Sequence, residues 1–319
     1  MKQSIGNQNM LQAHLSIFAA CAIWGFMAPI GKDAMLHGID GINLISFRVM
    51  GGAILFWLTS WLLGFKHGKE DQQDHLTAKD KLTFGACAIF GILLNQCGFT
   101  IGLNYTSPSN ASIITTSMPI FAMILSFLIL KEPISWKKSL GVALGCAGAV
   151  TLVLTSVNAT NSKVGDIKGD LMVLGAQLSY ALFLSLFNRF IRRFSVFTVN
   201  KWMFLWATVI LWPITLWHMM DNDWASIGIT TWLEAGYVVV FGTFICYLLM
   251  IVAQKALRPT VVSVYNNVQP IVAVAVSIMM GIGIFTWPQA LAIILIFTGV
   301  MLVNKSKSRQ EAETSPKGS

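Results

Sequence analysis

Proline and tryptophan fall into one register along this chain. Pro108 and Pro259, Pro119 and Pro270, and Trp136 and Trp287 are each 151 residues apart. With nine prolines and eleven tryptophans in 319 residues, three such matches at one spacing mark an internal duplication. Gly85 and Gly236, Gly91 and Gly242, Ser112 and Ser263, Ser126 and Ser277, and Gly148 and Gly299 keep the same spacing, and Pro-Ile-x-Ala recurs at Pro119 and Pro270. A repeat of this length constrains the fold before any local propensity does, because both copies must fold alike.

The repeated unit is apolar. With 55% hydrophobic residues, 11% charged residues and a mean hydropathy of +0.66, the charges are too few to cover a water-soluble globule of this size. Stretches of about 20 apolar residues, enough to cross roughly 30 Å of hydrocarbon, occur near 13–31, 42–63, 82–103, 109–130, 139–157, 170–188, 201–219, 232–253, 260–281 and 287–304. The expected fold is all-α and integral to the membrane, with ten transmembrane helices. The third and fourth spans, and the eighth and ninth, are joined by almost no loop and should form tight hairpins.

Placing the N-terminus in the cytoplasm puts every lysine and arginine outside the spans on the cytoplasmic side except Lys32, Lys163 and Lys168. By the positive-inside rule both termini are cytoplasmic. The net charge of +8 is then a topology signal with some attraction to anionic lipid, not a nucleic-acid footprint. The segment Lys66 to Lys81 reads as a solvated cytoplasmic loop, and residues 306–319 as a disordered cytoplasmic tail. No cleavable leader is expected, since Lys2 precedes a polar stretch and no small-residue site follows near Ile30. Cys21, Cys87, Cys97, Cys146 and Cys246 lie in spans without metal or disulfide spacing and read as small packing residues. No metal and no cofactor is expected.

Five spans per copy is an odd number, so the copies enter the membrane from opposite sides. Two inverted five-helix repeats follow, at 1–158 and 165–305. Upstream of residue 85 the register shifts to 156, which pairs Trp24 with Tyr180, Ala20 with Ala176 and Leu15 with Leu171. Inverted repeats recur in secondary transporters, which bind substrate near the midplane between the halves.

The ten-span inverted repeat, the pair Trp24-Gly25, Phe47-Arg48 opening the second span, and Pro119 followed by Lys131-Glu132 and Gly141 resemble the EamA-like drug/metabolite transporter superfamily. The resemblance covers nearly the whole chain. It implies export or exchange of small metabolites, amino acids among them, with related branches carrying nucleotide sugars. It also implies that Trp24 lines the cavity, although plain bulk explains a tryptophan there equally well. The second copy departs from the pattern, with Gly283 matching Glu132 and Phe204 matching Arg48.

Residue chemistry leads to the same region. A proline within a helix frees the carbonyl four residues earlier, here those of Thr115 and Asn266. Ser112, Thr115, Thr116 and Pro119 share one helical face, and Ser263, Asn266, Asn267 and Pro270 repeat it. Amides in hydrocarbon need partners, so these faces should point into the bundle or a cavity. The prolines become two hinges flanking the midplane, as alternating access would use. Asn266, Asn267 and Gln269 are candidate substrate ligands with Thr115, whereas Ser112, Thr116 and Ser263 serve better as interhelical glue. Asn95, Gln96, Gln177, Tyr180 and Tyr247 complete the polar set at depth, and Gln96 matches Tyr247 in the repeat register.

Charges within the spans are few. Every Asp, Glu and His, including His14, reads as terminal, in a loop or at a span end, so no group is placed to titrate at mid-depth. Facilitated diffusion or exchange is expected, not proton antiport. Arg48 lies roughly 10 Å into its span at 1.5 Å per residue, where it either snorkels to the interface or meets a substrate carboxylate. Glu132 is a cap or a cytoplasmic gate with Lys131 or Lys137. Gly98 with Gly102, and Gly141 with Gly145, form small-residue faces for close helix packing, or for dimerisation through the fifth span.

These features describe a secondary transporter or permease for small neutral or zwitterionic metabolites, amino acids or related compounds, acting as exporter or facilitator. It would be a multi-pass protein of a bacterial inner (cell) membrane, monomeric or weakly homodimeric, with lipid and a small-molecule substrate as its only partners. Enzyme chemistry is not expected, because no metal, hydrolase or nucleotide motif is present, and a channel filter is also missing. A non-transporting scaffold or receptor, or a multidrug or nucleotide-sugar carrier, are the competing readings. The sequons at Asn110 and Asn158 matter only in a secretory pathway.

Overall fold

A single segment crosses hydrocarbon only if its backbone pairs its own N–H and C=O groups, which makes it a helix. The computed structural model describes residues 2–67, 76–105, 114–157, 167–279 and 287–306, and no strand occurs among them. The elements are α1 (Lys2–Leu36), α2 (Gly41–His67), α3 (Ala78–Ala88), α4 (Gly98–Tyr105), α5 (Met118–Leu130), α6 (Trp136–Val157), α7 (Ile167–Leu186) and α8 (Asn188–Ile191). They continue with α9 (Val196–Met220), α10 (Ile229–Val239), α11 (Cys246–Ala256), α12 (Pro259–Tyr265), α13 (Val268–Met279) and α14 (Trp287–Asn304). Two π-helical segments, Ile89–Cys97 and Val240–Ile245, join α3 to α4 and α10 to α11.

Among the described residues six helical stretches are long and apolar enough to span a membrane: Met10–Met27, Gly41–Leu62, Ala78–Leu103, Ile167–Leu186, Val196–Met220 and Ile229–Ala256. Met118–Leu130 and Ala290–Asn304 are shorter apolar helices. Large apolar side chains such as Trp61, Leu128, Ile214 and Phe297 are exposed on the outside of the bundle and suit lipid. Trp136 and Trp287, a repeat-related pair, open α6 and α14 and are 77% and 89% exposed, as interfacial anchors are. Pro108, Ser112, Gly283, both sequons, most of the loop from Lys66 to Lys81 and the tail after Ser306 lie outside the described residues.

The two copies interlock. α1 packs on α11 and α13, while α7, its counterpart in the repeat, packs on α4, the first π segment and α5. α2 pairs with α9, and α6 with α14. Each large contact therefore joins one copy to the other, and the space between them is walled by both.

Small residues set the α6–α14 spacing. A Cβ on Gly299 would stand 2.6 Å from the Gly141 carbonyl oxygen and 2.7 Å from the Gly145 nitrogen, both of them backbone atoms. A Cβ on Gly148 would stand 2.7 Å from the Ala292 oxygen. The Gly141–Gly145 face is thus covered by α14 of the same chain. Likewise Gly98 and Gly102 admit α7, through Ala176 and Gly169. Gly299→Ala is expected to destabilise by roughly 1–3 kcal/mol through overpacking. Gly175→Ala, where an added methyl meets nothing, should be neutral or stabilising by up to about 1 kcal/mol; thermal denaturation in detergent compares the two.

The prolines differ from their sequence reading. Neither Pro119 nor Pro270 bends a continuous helix: the chain turns at Thr116–Ser117 and again at Asn266–Asn267, and each proline sits in the first turn of the helix that follows. A missing N–H costs nothing there. The carbonyl of Asn266 is not left free, since it accepts from the Gln269 N–H at 3.0 Å, and Ser263 and Val264 accept from Asn266 and Asn267. The spans are broken helices stitched by tight turns.

Candidate functional site

Two broken helices meeting face to face leave a polar gap, and the cavity of the molecule lies there. About 90 Å³ of it is open to water-sized molecules; on the scale where roughly 10–15 Å³ holds one water, that admits several waters or one small metabolite. Every substrate-contact candidate named above, from Trp24, Arg48, Asn95 and Gln96 through Thr115, Gln177, Tyr180 and Tyr247 to Asn266 and Gln269, lines it, with the exception of Asn267. Asn267 is buried outside the cavity, where its Nδ2 faces Gly145 and has no hydrogen-bond partner. Met27, Phe99 and Met118 also line it. Their signals were weak: Met118 matches Gln269 in the repeat, Phe99 lies one turn after Asn95, and Met27 one turn after Trp24.

The lining is built from repeat-related pairs. Thr115 faces the cavity with Asn266, Met118 with Gln269, Gln96 with Tyr247, and Trp24 with Tyr180. Gln96 Nε2 donates to the Tyr247 hydroxyl at 2.7 Å across 151 residues, which puts the axis relating the copies through the cavity wall. Asn266 ties the two breaks together. Its Oδ1 accepts from Gln269 Nε2 at 3.2 Å and its Nδ2 points at the Met118 sulfur.

The two π segments begin at repeat-related positions, Ile89 and Val240, a feature that the sequence reading missed. A π turn displaces carbonyls from the regular ladder, and side chains from the cavity take them up. Tyr247 donates its hydroxyl to the Gly91 oxygen at 3.3 Å, and Trp24 donates Nε1 to the Gly242 oxygen at 2.8 Å. The Trp24-Gly25 pair has a physical account: Trp24 turns inward, while Gly25 admits the Gln269 carbonyl, which a Cβ would meet at 2.9 Å. The Tyr247 ring packs edge-on against Trp24 and Phe204, with centroids 6.2 and 4.9 Å away.

Arg48 does not snorkel. It is 3% exposed, and its Nε donates to the Thr243 hydroxyl at 3.0 Å. Thr243, in the second π segment, donates its hydroxyl in turn to the Val238 carbonyl at 3.0 Å. A second, smaller cavity shares Met27, Arg48 and Phe99 with the first and is lined further by Gly31, Met35, Leu44 and Leu103.

The opposite end, where α11 stops and α12 starts, is closed by polar pairs. Gln254 Nε2 donates to the Tyr180 hydroxyl at 3.1 Å, and His14 Nδ1 lies 2.9 Å from the Tyr265 hydroxyl. His14 is therefore a half-buried residue inside α1, not the terminal residue of the sequence reading. Glu132 pairs with Lys138, not with Lys131 or Lys137. Lys138 Nζ stands 2.7 Å from Glu132 Oε2. The five cysteines are free, and Cys146 and Cys246 give their thiols to the Thr116 and Ala20 carbonyls. Among the described residues no group of three His, Cys, Asp or Glu side chains is placed to hold a metal.

Comparison with known proteins agrees with this architecture. The profile of the EamA-like transporter family matches residues 11–154 and 167–305. The uncharacterized transporter YetK of Bacillus subtilis is 21% identical over 305 residues, covering 96% of this chain and 90% of that protein. The uncharacterized transporter YyaM of the same organism is 26% identical over 241 residues, 75% of this chain and 77% of that one. The S-adenosylmethionine/S-adenosylhomocysteine transporter of Chlamydia trachomatis serovar L2 is 26% identical over 275 residues, covering 81% and 78%. A crystal structure of another protein superposes with a TM-score of 0.69 at 15% identity, over 91% of this chain and 95% of that one, which shows a shared fold.

Proposed function

Because the chain belongs to the EamA-like transporter family and is an integral multi-pass membrane protein, we propose that it moves small neutral or zwitterionic metabolites, amino acids or related compounds, by alternating access. It acts as an exporter or facilitator in a bacterial cell membrane, and residues 1–158 and 165–305 are its two inverted repeats. The observation that carries the reading is the cavity between the copies, lined by repeat-related amides, hydroxyls and aromatic rings and walled by both halves. A site that both copies build can be exposed first to one face of the membrane and then to the other.

The turns at Thr116–Ser117 and Asn266–Asn267, next to Pro119 and Pro270, interrupt the helical ladder and are where each copy hinges. Among the described residues the lining contains no carboxylate and no histidine, which supports facilitated diffusion or exchange without a buried acid to carry protons. The Chlamydia relative extends the candidate cargo to S-adenosylmethionine, which also carries an amino-acid group.

Reconstitution into proteoliposomes tests this reading. Labelled neutral amino acids and S-adenosylmethionine are expected to equilibrate across the vesicle membrane faster than in protein-free vesicles, and unlabelled cargo on the far side should speed the exchange. A pH gradient is expected to leave the final distribution unchanged. Uphill accumulation driven by that gradient would overturn the coupling assignment, with His14 the first residue to examine, and absence of flux for the whole panel would overturn the cargo class.

A further inference from the structure

We propose that Arg48 is an anion anchor that holds the carboxylate of the transported solute. The proposal rests on the transport reading and narrows it: the cargo carries one anionic group, so a zwitterion or monoanion is preferred over its neutral analogue.

The guanidinium is out of place without such a partner. Arg48 is enclosed by protein, its Nη2 has no hydrogen-bond partner, and among the described residues no carboxylate lies within ion-pair distance of it. The carboxylates that form pairs are engaged elsewhere: Glu132 with Lys138, Asp80 with Arg193, Asp33 with His37 and Asp40 with His218. A cation left alone in a medium of low dielectric constant is strongly unfavourable, and one inside a transporter points to the charge it meets in function.

Its geometry suits a carboxylate. Thr243 fixes Nε and thereby the plane of the fork, leaving Nη2 enclosed beside the cavity without an acceptor, and a planar fork can pair with a carboxylate through two parallel hydrogen bonds. The position that matches Arg48 in the other copy is Phe204, which packs on Tyr247 and on Phe56. The lining therefore carries its formal charge on one side only. A single anionic group satisfies it, while a diphosphate would bring more charge than the cavity neutralises. The amides of Asn95, Gln96, Gln177 and Gln269, with the Trp24 ring, remain for the rest of the solute, including an ammonium group, which amide oxygens and aromatic faces accept. Because Thr243 belongs to one copy and Arg48 to the other, an anion that draws on the guanidinium also acts on a contact between the halves.

The test uses the purified full-length protein in detergent and chloride-free buffer, with sodium acetate and its neutral isostere acetamide as probes. Thermal denaturation at increasing concentrations of each gives apparent affinities. Acetate is expected to stabilise the wild type, and Arg48→Gln to weaken that binding about tenfold to a hundredfold, as removal of a charge-assisted pair does. Acetamide should act weakly and equally on both proteins. An acetate effect that is absent in the wild type, or unchanged in Arg48→Gln, overturns the proposal, as does an Arg48-dependent effect of chloride that acetate does not share. If Arg48→Gln does not fold, Arg48→Lys keeps the charge and loses the fork. It should still prefer acetate to acetamide, and a lysine variant indifferent between them also overturns the proposal. Acetate binding at Arg48 in a protein without amino-acid flux would defeat the transport reading alone. Amino-acid flux undiminished in Arg48→Gln would defeat the anchor alone.

Discussion

Replacing Lys138 with alanine is expected to remove about 3–5 kcal/mol of stability, a large share of the roughly 5–15 kcal/mol that holds a folded domain together. Lys138 is 1% exposed and its Nζ lies 2.7 Å from Glu132 Oε2. Truncating one partner strands the other, because the carboxylate keeps its desolvation cost and loses its strongest attraction. The Arg192 guanidinium also interacts with Glu132, but it already donates to the Leu257 carbonyl at 3.0 Å. The double change Glu132→Gln with Lys138→Met removes both charges and should recover most of the loss. Thermal denaturation in detergent measures both variants. The pair also separates a structural clasp from a gate: a clasp predicts that the double variant transports at close to the wild-type rate, whereas a gate predicts altered flux in a protein of normal stability.

The second large effect is on transport. Asn266→Ala and Tyr247→Ala are each expected to lower flux in proteoliposomes at least about tenfold while the folded protein is still recovered. Tyr247 joins the halves through Gln96 and holds the displaced Gly91 carbonyl, so its loss strands two buried polar groups at roughly 1–3 kcal/mol apiece. Asn266 bridges the two helix breaks through Met118 and Gln269, and alanine there removes the cross-link that would couple the two proposed hinges. Tyr247→Phe isolates the hydroxyl and should fall between the wild type and alanine. Normal flux in both alanine variants would place the substrate elsewhere. Loss of flux accompanied by loss of folded protein would show that these residues act in packing.

The site was legible to an unusual degree, for a specific reason. In hydrocarbon a polar side chain without a partner is expensive, so polar residues at depth collect where they can satisfy one another or meet water. Naming Asn95, Gln96, Gln177, Tyr180, Tyr247, Asn266 and Gln269 from their depth alone thus came close to naming the cavity wall. Asn267 escaped that logic because adjacent residues on a helix diverge by about 100°, and the turn at Asn266–Asn267 sends the second amide toward α6. Glu132 was assigned the wrong lysine, since the partner was judged by nearness in sequence, whereas the chain beyond Lys131 turns back with φ of 54° and brings the first turn of α6 over it.

By itself, the sequence determined the solvent, the helical class, the repeat register and ten of the thirteen residues that line the cavity. Composition, periodicity and register are carried by the chain in one dimension, and a bilayer leaves helices as the answer to them. Tertiary structure alone decided that the prolined spans are broken helices, that π turns begin at Ile89 and Val240 with the Gly91 and Gly242 carbonyls held by Tyr247 and Trp24, and that Arg48 rests on Thr243 with no carboxylate beside it among the described residues. The last two depend on which group a side chain reaches some 150 to 220 residues away. No local propensity encodes such a distance; it exists only once the two copies have packed.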